Sequence, residues 1–297
     1  MNVERFDSSD TNVSKYVFTW LDAVAEAVLY KYGDYETRTV ICCSTQSGCA
    51  VGCSFCGTGK KFIRSLSANE IVDQVDYLIN DRKIDTAKIG SFQIMFMSMG
   101  EPMLNYKSLE LAIRYLHAAY PNAKLLISTS GPAVDYGPLI KLAVEIDSIG
   151  LQFSVHESTD AARNKLIPFK HKLLLGEINE VGESFYDATG RQPFFNYCVH
   201  SGNSSPKDAL NLYKLFDPII WQATLSVICE ADETVSSSID RQAAMADNFS
   251  QQLLELGFST RVFNPAGQDD VGGGCGQLWF VQKWMKEHPE LVRISNG

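Results

Sequence analysis

The chain has 297 residues, 45% of them hydrophobic and 21% charged, a composition that supports a buried core in one large α/β domain or two small ones. No run approaches the roughly 18 consecutive apolar residues of a membrane-spanning helix, and the polar, acidic start MNVERFDSSD lacks the apolar stretch of a signal peptide, so a cytoplasmic protein is expected. Twenty-six Lys and Arg against 35 Asp and Glu give a net charge of −9, the wrong sign for holding nucleic acid by bulk electrostatics.

In chain order, Glu26–Tyr32 and Thr37–Cys43 are rich in Val, Ile, Tyr and Thr and flank Gly33-Asp34, which predicts a hairpin. Ser67 and Glu70 form a capping box ahead of Ile71, Val72, Val75 and Leu78 at helical spacing. Short apolar runs then alternate with helical patterns: Phe92–Ser98, Lys124–Thr129, Ile149–Val155, Phe194–Val199 and Gln222–Ile228. That alternation predicts parallel strands joined by crossover helices, wound as a barrel or an open sheet. In a barrel, chemistry gathers on the loops at the C-terminal ends of the strands. A helix over Asp240–Leu256 stops at Gly257, and a strand Thr260–Phe263 leads into the glycine-rich loop Gly267–Gly276, which carries Cys275.

Eight cysteines in such a chain point to metal or redox chemistry rather than structural disulfides. Cys49, Cys53 and Cys56 form C-x3-C-x2-C. Three thiolates so close can turn toward one metal centre, and a disulfide would leave the third over. A zinc knuckle completed by His171 or another cysteine is one reading, although structural zinc sites normally close with four ligands, often as two C-x2-C pairs. Three cysteines also suit a four-iron cluster with one iron left open. The spacing, with Phe55 just before the last cysteine, resembles the signature of radical S-adenosylmethionine (SAM) enzymes. Gly100-Glu101-Pro102 then follows the strand Phe92–Ser98 where that superfamily carries a SAM-binding turn.

The chain resembles the RlmN and Cfr family of adenine methyltransferases from about Asp22 to Leu278. The markers are Cys42-Cys43-Ser44-Thr45-Gln46-Ser47-Gly48-Cys49, Phe62-Ile63-Arg64-Ser65-Leu66, Glu70-Ile71, Met99-Gly100-Glu101-Pro102, Ser128-Thr129-Ser130-Gly131, Ser154-Val155-His156, Arg163 with Ile167-Pro168, and Asp269-Asp270 followed by Cys275-Gly276-Gln277-Leu278. The resemblance implies an α/β fold, a partial (β/α)6 radical SAM barrel with an N-terminal β-hairpin and a small C-terminal extension. It implies a [4Fe-4S] cluster on Cys49, Cys53 and Cys56 and a SAM site at Gly100, Glu101, Ser128, Ser154, Val155 and His156. It further implies a relay in which Cys275 carries the methyl group, Cys42 releases the product by forming a disulfide, and Glu26 takes the ring proton. Read as plain structure, Cys42 beside Cys43 is core packing, Glu26 a solvent-facing strand carboxylate and His156 a satisfied barrel histidine. Cys198 and Cys229 read as core.

The expected organisation is a short N-terminal segment with the first hairpin strand over 1–35, without the family's accessory RNA-binding domain, a barrel over 36–235, and a C-terminal helix, strand and cysteine loop over 236–297. The loop before Asp269 is less basic than the family's, and Cys229 falls near a SAM-binding asparagine of the family. The expected substrate is adenine C2 or C8 in RNA, with a nucleotide, nucleobase or other small heteroaromatic as the alternative and a non-catalytic Fe–S or zinc protein as the second. Lys60, Lys61, Arg64, Lys165, Lys170 and Lys172 are candidates for a local basic patch. A monomer served by an electron donor such as flavodoxin or ferredoxin completes the expectation.

Overall fold

The structure, a computed structural model, describes residues 1–59, 61–227, 235–263, 271–272 and 278–294, with the backbone alone for 235–241 and for Trp279. Its strands are β1 (Asn2–Asp7), β2 (Val13–Thr19), β3 (Val24–Tyr32), β4 (Asp34–Cys43), β5 (Gln46–Gly48), β6 (Lys61–Ser65), β7 (Ser91–Phe96), β8 (Ala123–Thr129), β9 (Ile149–Ser154), β10 (Phe194–Val199), β11 (Gln222–Val227), β12 (Ser259–Phe263) and β13 (Arg293–Ile294). Its α-helices are α1 (Ala68–Asp81), α2 (Tyr106–Ala119), α3 (Gly137–Glu145), α4 (Asp160–Leu166), α5 (Leu175–Thr189), α6 (Pro206–Leu215), α7 (Val235–Glu255) and α8 (Trp279–Glu287).

Ten strands make one sheet in the order β1-β2-β3-β4-β7-β8-β9-β10-β11-β12. The pairings from β1 to β4 are antiparallel, and those from β4 onward are parallel. The predicted hairpin is β3 and β4 around Gly33, and β4 is the pivot between the two regimes. Ahead of it, β1 and β2 extend the sheet where the sequence had suggested only a short appendage. Six parallel strands from β4 to β11 form the barrel wall, and β12 adds a seventh.

Side chains alternate across each strand. On β4 and β7, Ile41, Cys43, Phe92, Ile94 and Phe96 face the helices and belong to the main buried cluster. Cys42, Val40, Gln93 and Met95 face the lumen. Residues of β2 and β3 line the same cavity as Arg261 and Phe263 of β12, so the sheet curls until its two ends face each other.

Helix α1 shows how the outer layer is made. Ser67 Oγ accepts from the Glu70 N–H while the Glu70 carboxylate accepts from the Ser67 N–H, a cap of about 1 kcal/mol. Beyond it Ile71, Val72, Val75, Leu78 and Ile79 are buried on one face, each burial being favourable by about 1.5–3 kcal/mol. Helix α7 begins five residues before the predicted start and ends at Glu255, one residue short of the expected Leu256, with Gly257 at φ +94 just beyond it.

Candidate active site

The small sheet β13-β6-β5 carries the cysteine motif on the loop between β5 and β6. Gly48 sits at φ +76, and a Cβ there would stand 2.4 Å from the Lys61 carbonyl oxygen, so only glycine lets β6 pass this close. The Cys49 N–H donates to Lys61 O at 2.7 Å, and the Ser54 N–H donates to Leu166 O at 2.9 Å. Below the loop, Val51, Ile167 and Phe169 form a buried apolar shelf against which Cys49 and Cys53 pack. The Cys49 thiol is pushed up to about 12, by burial first and by Cys56 next. A thiolate there is unfavourable without a positive partner.

The turn Gly100-Glu101-Pro102 meets this loop from β7. The Thr45 N–H donates to Met99 O at 2.9 Å, and the Glu101 N–H donates to Gln46 Oε1 at 2.9 Å. Gly100 has φ +97, and a Cβ would stand 2.6 Å from Gln46 Cβ. The Glu101 carboxylate turns inward to the end of β8. Oε1 accepts from Thr129 Oγ1 at 2.5 Å and the Met103 N–H at 3.0 Å, and Oε2 accepts from the N–H and Oγ of Ser130, each at 2.7 Å. Burial pushes this carboxyl upward and the four donors pull it back part of the way. All four of its lone-pair directions are occupied, so the side chain fixes the turn against the end of β8.

Ser128, Ser154, Val155 and His156 lie at the C-terminal ends of β8 and β9, as expected for barrel chemistry. The Ser128 hydroxyl accepts from Gln152 Nε2 at 3.0 Å. His156 is buried, has φ +60, and its Nδ1 accepts from the Cys198 N–H at 3.1 Å. Burial lowers its pKa to about 3, so the ring is neutral with its proton on Nε2. The edge of the His156 ring meets Phe55 at 5.3 Å, joining the cysteine loop to β9. Arg163 stitches this end together from beneath. It donates to Ser130 O at 2.5 Å, Leu173 O at 2.9 Å and Ser154 O at 3.2 Å. Burial brings its pKa down to about 10, which leaves it charged.

A cavity of about 420 Å³ occupies the lumen. Cys42 and Glu26 both line it. Cys42 pairs with Val28 across β3 and β4, which puts it diagonally across from Glu26 on the same face. Glu26 is fully buried, which corrects the reading of it as a solvent-facing carboxylate. Its Oε1 accepts from the Val281 N–H at 3.0 Å, near the start of α8, and the Lys15 ammonium lies 2.6 Å from its Oε2. Its main-chain carbonyl accepts from Ser44 Oγ at 2.6 Å and Ser98 Oγ at 2.8 Å. Cys275 and Cys229 lie outside the described residues. On either side of 273–277, Gly272 and Leu278 line the same cavity as Cys42, and Val271 packs in one cluster with it. The rest of the wall mixes apolar side chains, Val28, Val40, Met95, Met97, Leu126, Phe194 and Phe263, with polar ones such as Gln152, Asn196 and Ser226 and with the charged Arg38, Lys124, Asp147, Arg191 and Arg261.

A model of the radical SAM superfamily matches residues 43–173, which hold the cysteine loop, the Gly100 turn and the ends of β8 and β9. A curated protein from Thermus thermophilus, called a probable dual-specificity RNA methyltransferase RlmN, is 33% identical over 282 residues, covering 93% of this chain and 76% of its own. The chain belongs to the RlmN family. A relative of the same description from Heliobacterium modesticaldum is 29% identical over 96% of this chain and 74% of its own. Among solved structures, a radical SAM methyltransferase from Sphaerobacter thermophilus superposes with a TM-score of 0.76 at 29% identity, covering 92% of this chain and 79% of that one. Spore photoproduct lyase, at 13% identity and a TM-score of 0.52, shares the fold. Membership in the RlmN family makes this a radical SAM enzyme of the methyltransferase class, and the family's cofactors are SAM and a [4Fe-4S] cluster.

Three residues of this site carried no role in the sequence. Gln46 and Arg163 stood inside motifs, without a sign of what they bind. Lys15 stands on a strand of alternating character, where nothing marks a lysine as buried. Of the basic candidates, Arg64 is already engaged, its guanidinium paired with Asp22 at 2.8 Å and Glu70 at 2.7 Å. Lys172 donates to Asn164 Oδ1 at 2.6 Å and Phe169 O at 2.9 Å. Among the described residues no helix is long and apolar enough to cross a membrane.

Proposed function

We propose that this protein methylates a ring carbon of adenine in RNA, C2 or C8, through a methylcysteine and disulfide relay. The observation that carries the reading is the lumen cavity, lined at once by Glu26, Cys42, Gly272 and Leu278, the last two flanking the stretch that holds Cys275. Its volume and the apolar part of its wall suit a planar heterocycle.

The cysteine loop fits the cluster. Among the described residues no three His, Cys, Asp or Glu side chains lie close enough to hold one metal ion. A zinc ion about 2.3 Å from each sulfur needs that closeness, whereas a four-iron cluster seats its thiolates on different irons. Cys49, Cys53 and Cys56 would hold the cluster, and the backbone around Gly100, with Ser128 and Ser154–His156, would hold SAM. When bound, these groups supply an electrophilic methyl group and a one-electron route to a carbon radical, the electron coming from a donor such as flavodoxin or ferredoxin.

The chain's own residues do the rest. Cys275 takes up the methyl group on Sγ, because the electron-poor ring carbon cannot attack a sulfonium itself. After that methyl has lost one hydrogen atom to the SAM-derived carbon radical, its carbon bonds to the ring. The ring then gives up an electron, for which the cluster on Cys49, Cys53 and Cys56 would be the acceptor, and its proton passes to the Glu26 carboxylate. The Cys42 thiolate attacks Cys275 Sγ, the Sγ–carbon bond breaks, and its electron pair stays with the new methyl carbon, which takes up a proton. A disulfide remains, and ordinary thiol exchange reduces it for the next turnover.

Protein carrying Cys42→Ala, purified from producing cells, should hold a nucleotide covalently on Cys275, seen by mass spectrometry. An unmodified Cys275 would sink the relay. Anaerobic reconstitution should give a brown four-iron protein that forms 5′-deoxyadenosine from SAM on reduction. A second reading, the same chemistry on a free nucleotide, is favoured by the net charge of −9 and by the engagement of Arg64. The identity of the trapped nucleotide decides between them.

A further inference from the structure

Lys15 is 1% exposed and stands on β2, where Val17 pairs with Glu26 and Lys15 with Val28. It is therefore the diagonal neighbour of Glu26 on the lumen face. Its Nζ lies 2.6 Å from Glu26 Oε2 and donates to Gly272 O at 2.6 Å. The Phe280 ring closes over the ammonium, with the centroid at 5.9 Å. A buried ammonium is costly unless it is paired, and an apolar residue would serve the sheet at this position. The lysine joins two segments some 250 residues apart in the chain, one bearing the carboxylate and the other leading into the cysteine loop.

We propose that Lys15 is a positioning residue for the relay, holding the Glu26 carboxylate beside the Gly272 carbonyl at the lumen face. This rests on the function proposed above. Gly272, whose carbonyl Lys15 holds, lies three residues before Cys275 in the chain. Val281 N–H holds Oε1 and Lys15 holds Oε2. Oε2 accepts no hydrogen bond among the described residues, so beside its ion pair with Lys15 it keeps lone-pair capacity for the ring proton. Lys15 transfers nothing itself.

The test uses full-length, cluster-loaded protein with Lys15→Gln, Lys15→Arg, Glu26→Gln and the Lys15→Gln/Glu26→Gln pair. Covalent nucleotide on Cys275 is measured by mass spectrometry of protein purified from producing cells, with 5′-deoxyadenosine formation from SAM and dithionite as the control. A misplaced proton acceptor slows product release by about 100-fold, so Lys15→Gln should accumulate the adduct as Glu26→Gln does. Lys15→Arg should lie between Lys15→Gln and the unaltered protein, and the pair should hold no more adduct than Glu26→Gln alone. Adduct at the unaltered level in Lys15→Gln overturns the proposal, as does a loss of 5′-deoxyadenosine that matches the loss of product. If Lys15→Gln gives no soluble protein, Lys15→Arg decides: an intermediate adduct level supports the tether and an unaltered level overturns it. Failure of the relay itself reads differently, because Cys42→Ala then carries no nucleotide.

Discussion

The two halves of the site are built in opposite ways. The cluster end comes from consecutive pieces of chain: the Cys49–Cys56 loop, the Gly100 turn and the ends of β8 and β9, each delivered by the strand before it. Hydrogen bonds to the Glu101 carboxylate and from one buried arginine hold it. The relay side is assembled from the chain's two ends, with Lys15 and Glu26 meeting Gly272 and Val281 over separations of 257 and 255 residues. A charge pair holds that side. Local pieces form with the barrel, whereas the distant ones form only after the chain has closed a long loop, at an entropic cost that grows with loop length. The proposed relay would need both halves within reach of each other, and the curl of the sheet brings β2 and β3 round to face β12 across the cavity.

The sharpest way to break the comparison is to remove the cluster end alone. Cys49→Ala should abolish the iron–sulfur absorbance and all 5′-deoxyadenosine formation, while thermal unfolding still reports an intact Lys15–Glu26 pair. If the cluster assembled without Cys49, the assignment of the loop would be wrong.

The same contrast explains what the sequence revealed. The cysteine motif, the Gly100 turn and the strand ends could be picked out because each is a contiguous stretch of sequence, and the Ser67 capping box is local too. Cys42 was singled out through the family resemblance, at its spacing from Cys49, and Glu26 only by its place before the hairpin. That Glu26 is buried could not be read, since its burial depends on α8 and Lys15, which arrive from elsewhere. Lys15 left no signal at all, because a lysine in a strand reads as an exposed one until its partner is known. Strands β1 and β2 were missed for a related reason: they are stable only as additions to β3.

On the relay side, Lys15→Met should cost about 3–5 kcal/mol, the scale of leaving one buried charge without its partner. Lys15→Met with Glu26→Leu should cost clearly less than the single change, because the pair is then removed together. Urea unfolding of both proteins measures this, and equal losses would mean that the two charges are not coupled.

At the cluster end, Gly100→Ala tests backbone geometry instead of charge. The added Cβ would stand 2.6 Å from Gln46 Cβ at φ +97, and a residue held at such a backbone angle costs about 1–3 kcal/mol. SAM affinity should weaken by roughly 10-fold or more at that cost, with the unfolding midpoint falling as well. Unchanged SAM binding in equilibrium dialysis would show that the turn does not carry the cofactor.

The smallest effect lies in pH. His156 has a pKa of about 3 in the folded protein against an ordinary 6.5, because burial disfavours its charged form. Between those two values the unfolded chain binds the proton and the folded one does not, so stability falls as pH drops through 6.5 and the loss levels off below about 3. At pH 5.5 the loss should be about 1 kcal/mol. His156→Asn removes the titration, can accept from the Cys198 N–H through Oδ1, and tolerates the positive φ. Its stability relative to the unaltered protein should therefore improve by about 1 kcal/mol between pH 7.5 and 5.5, measured by anaerobic urea unfolding at each pH. A constant difference would mean that the ring is protonated where it sits.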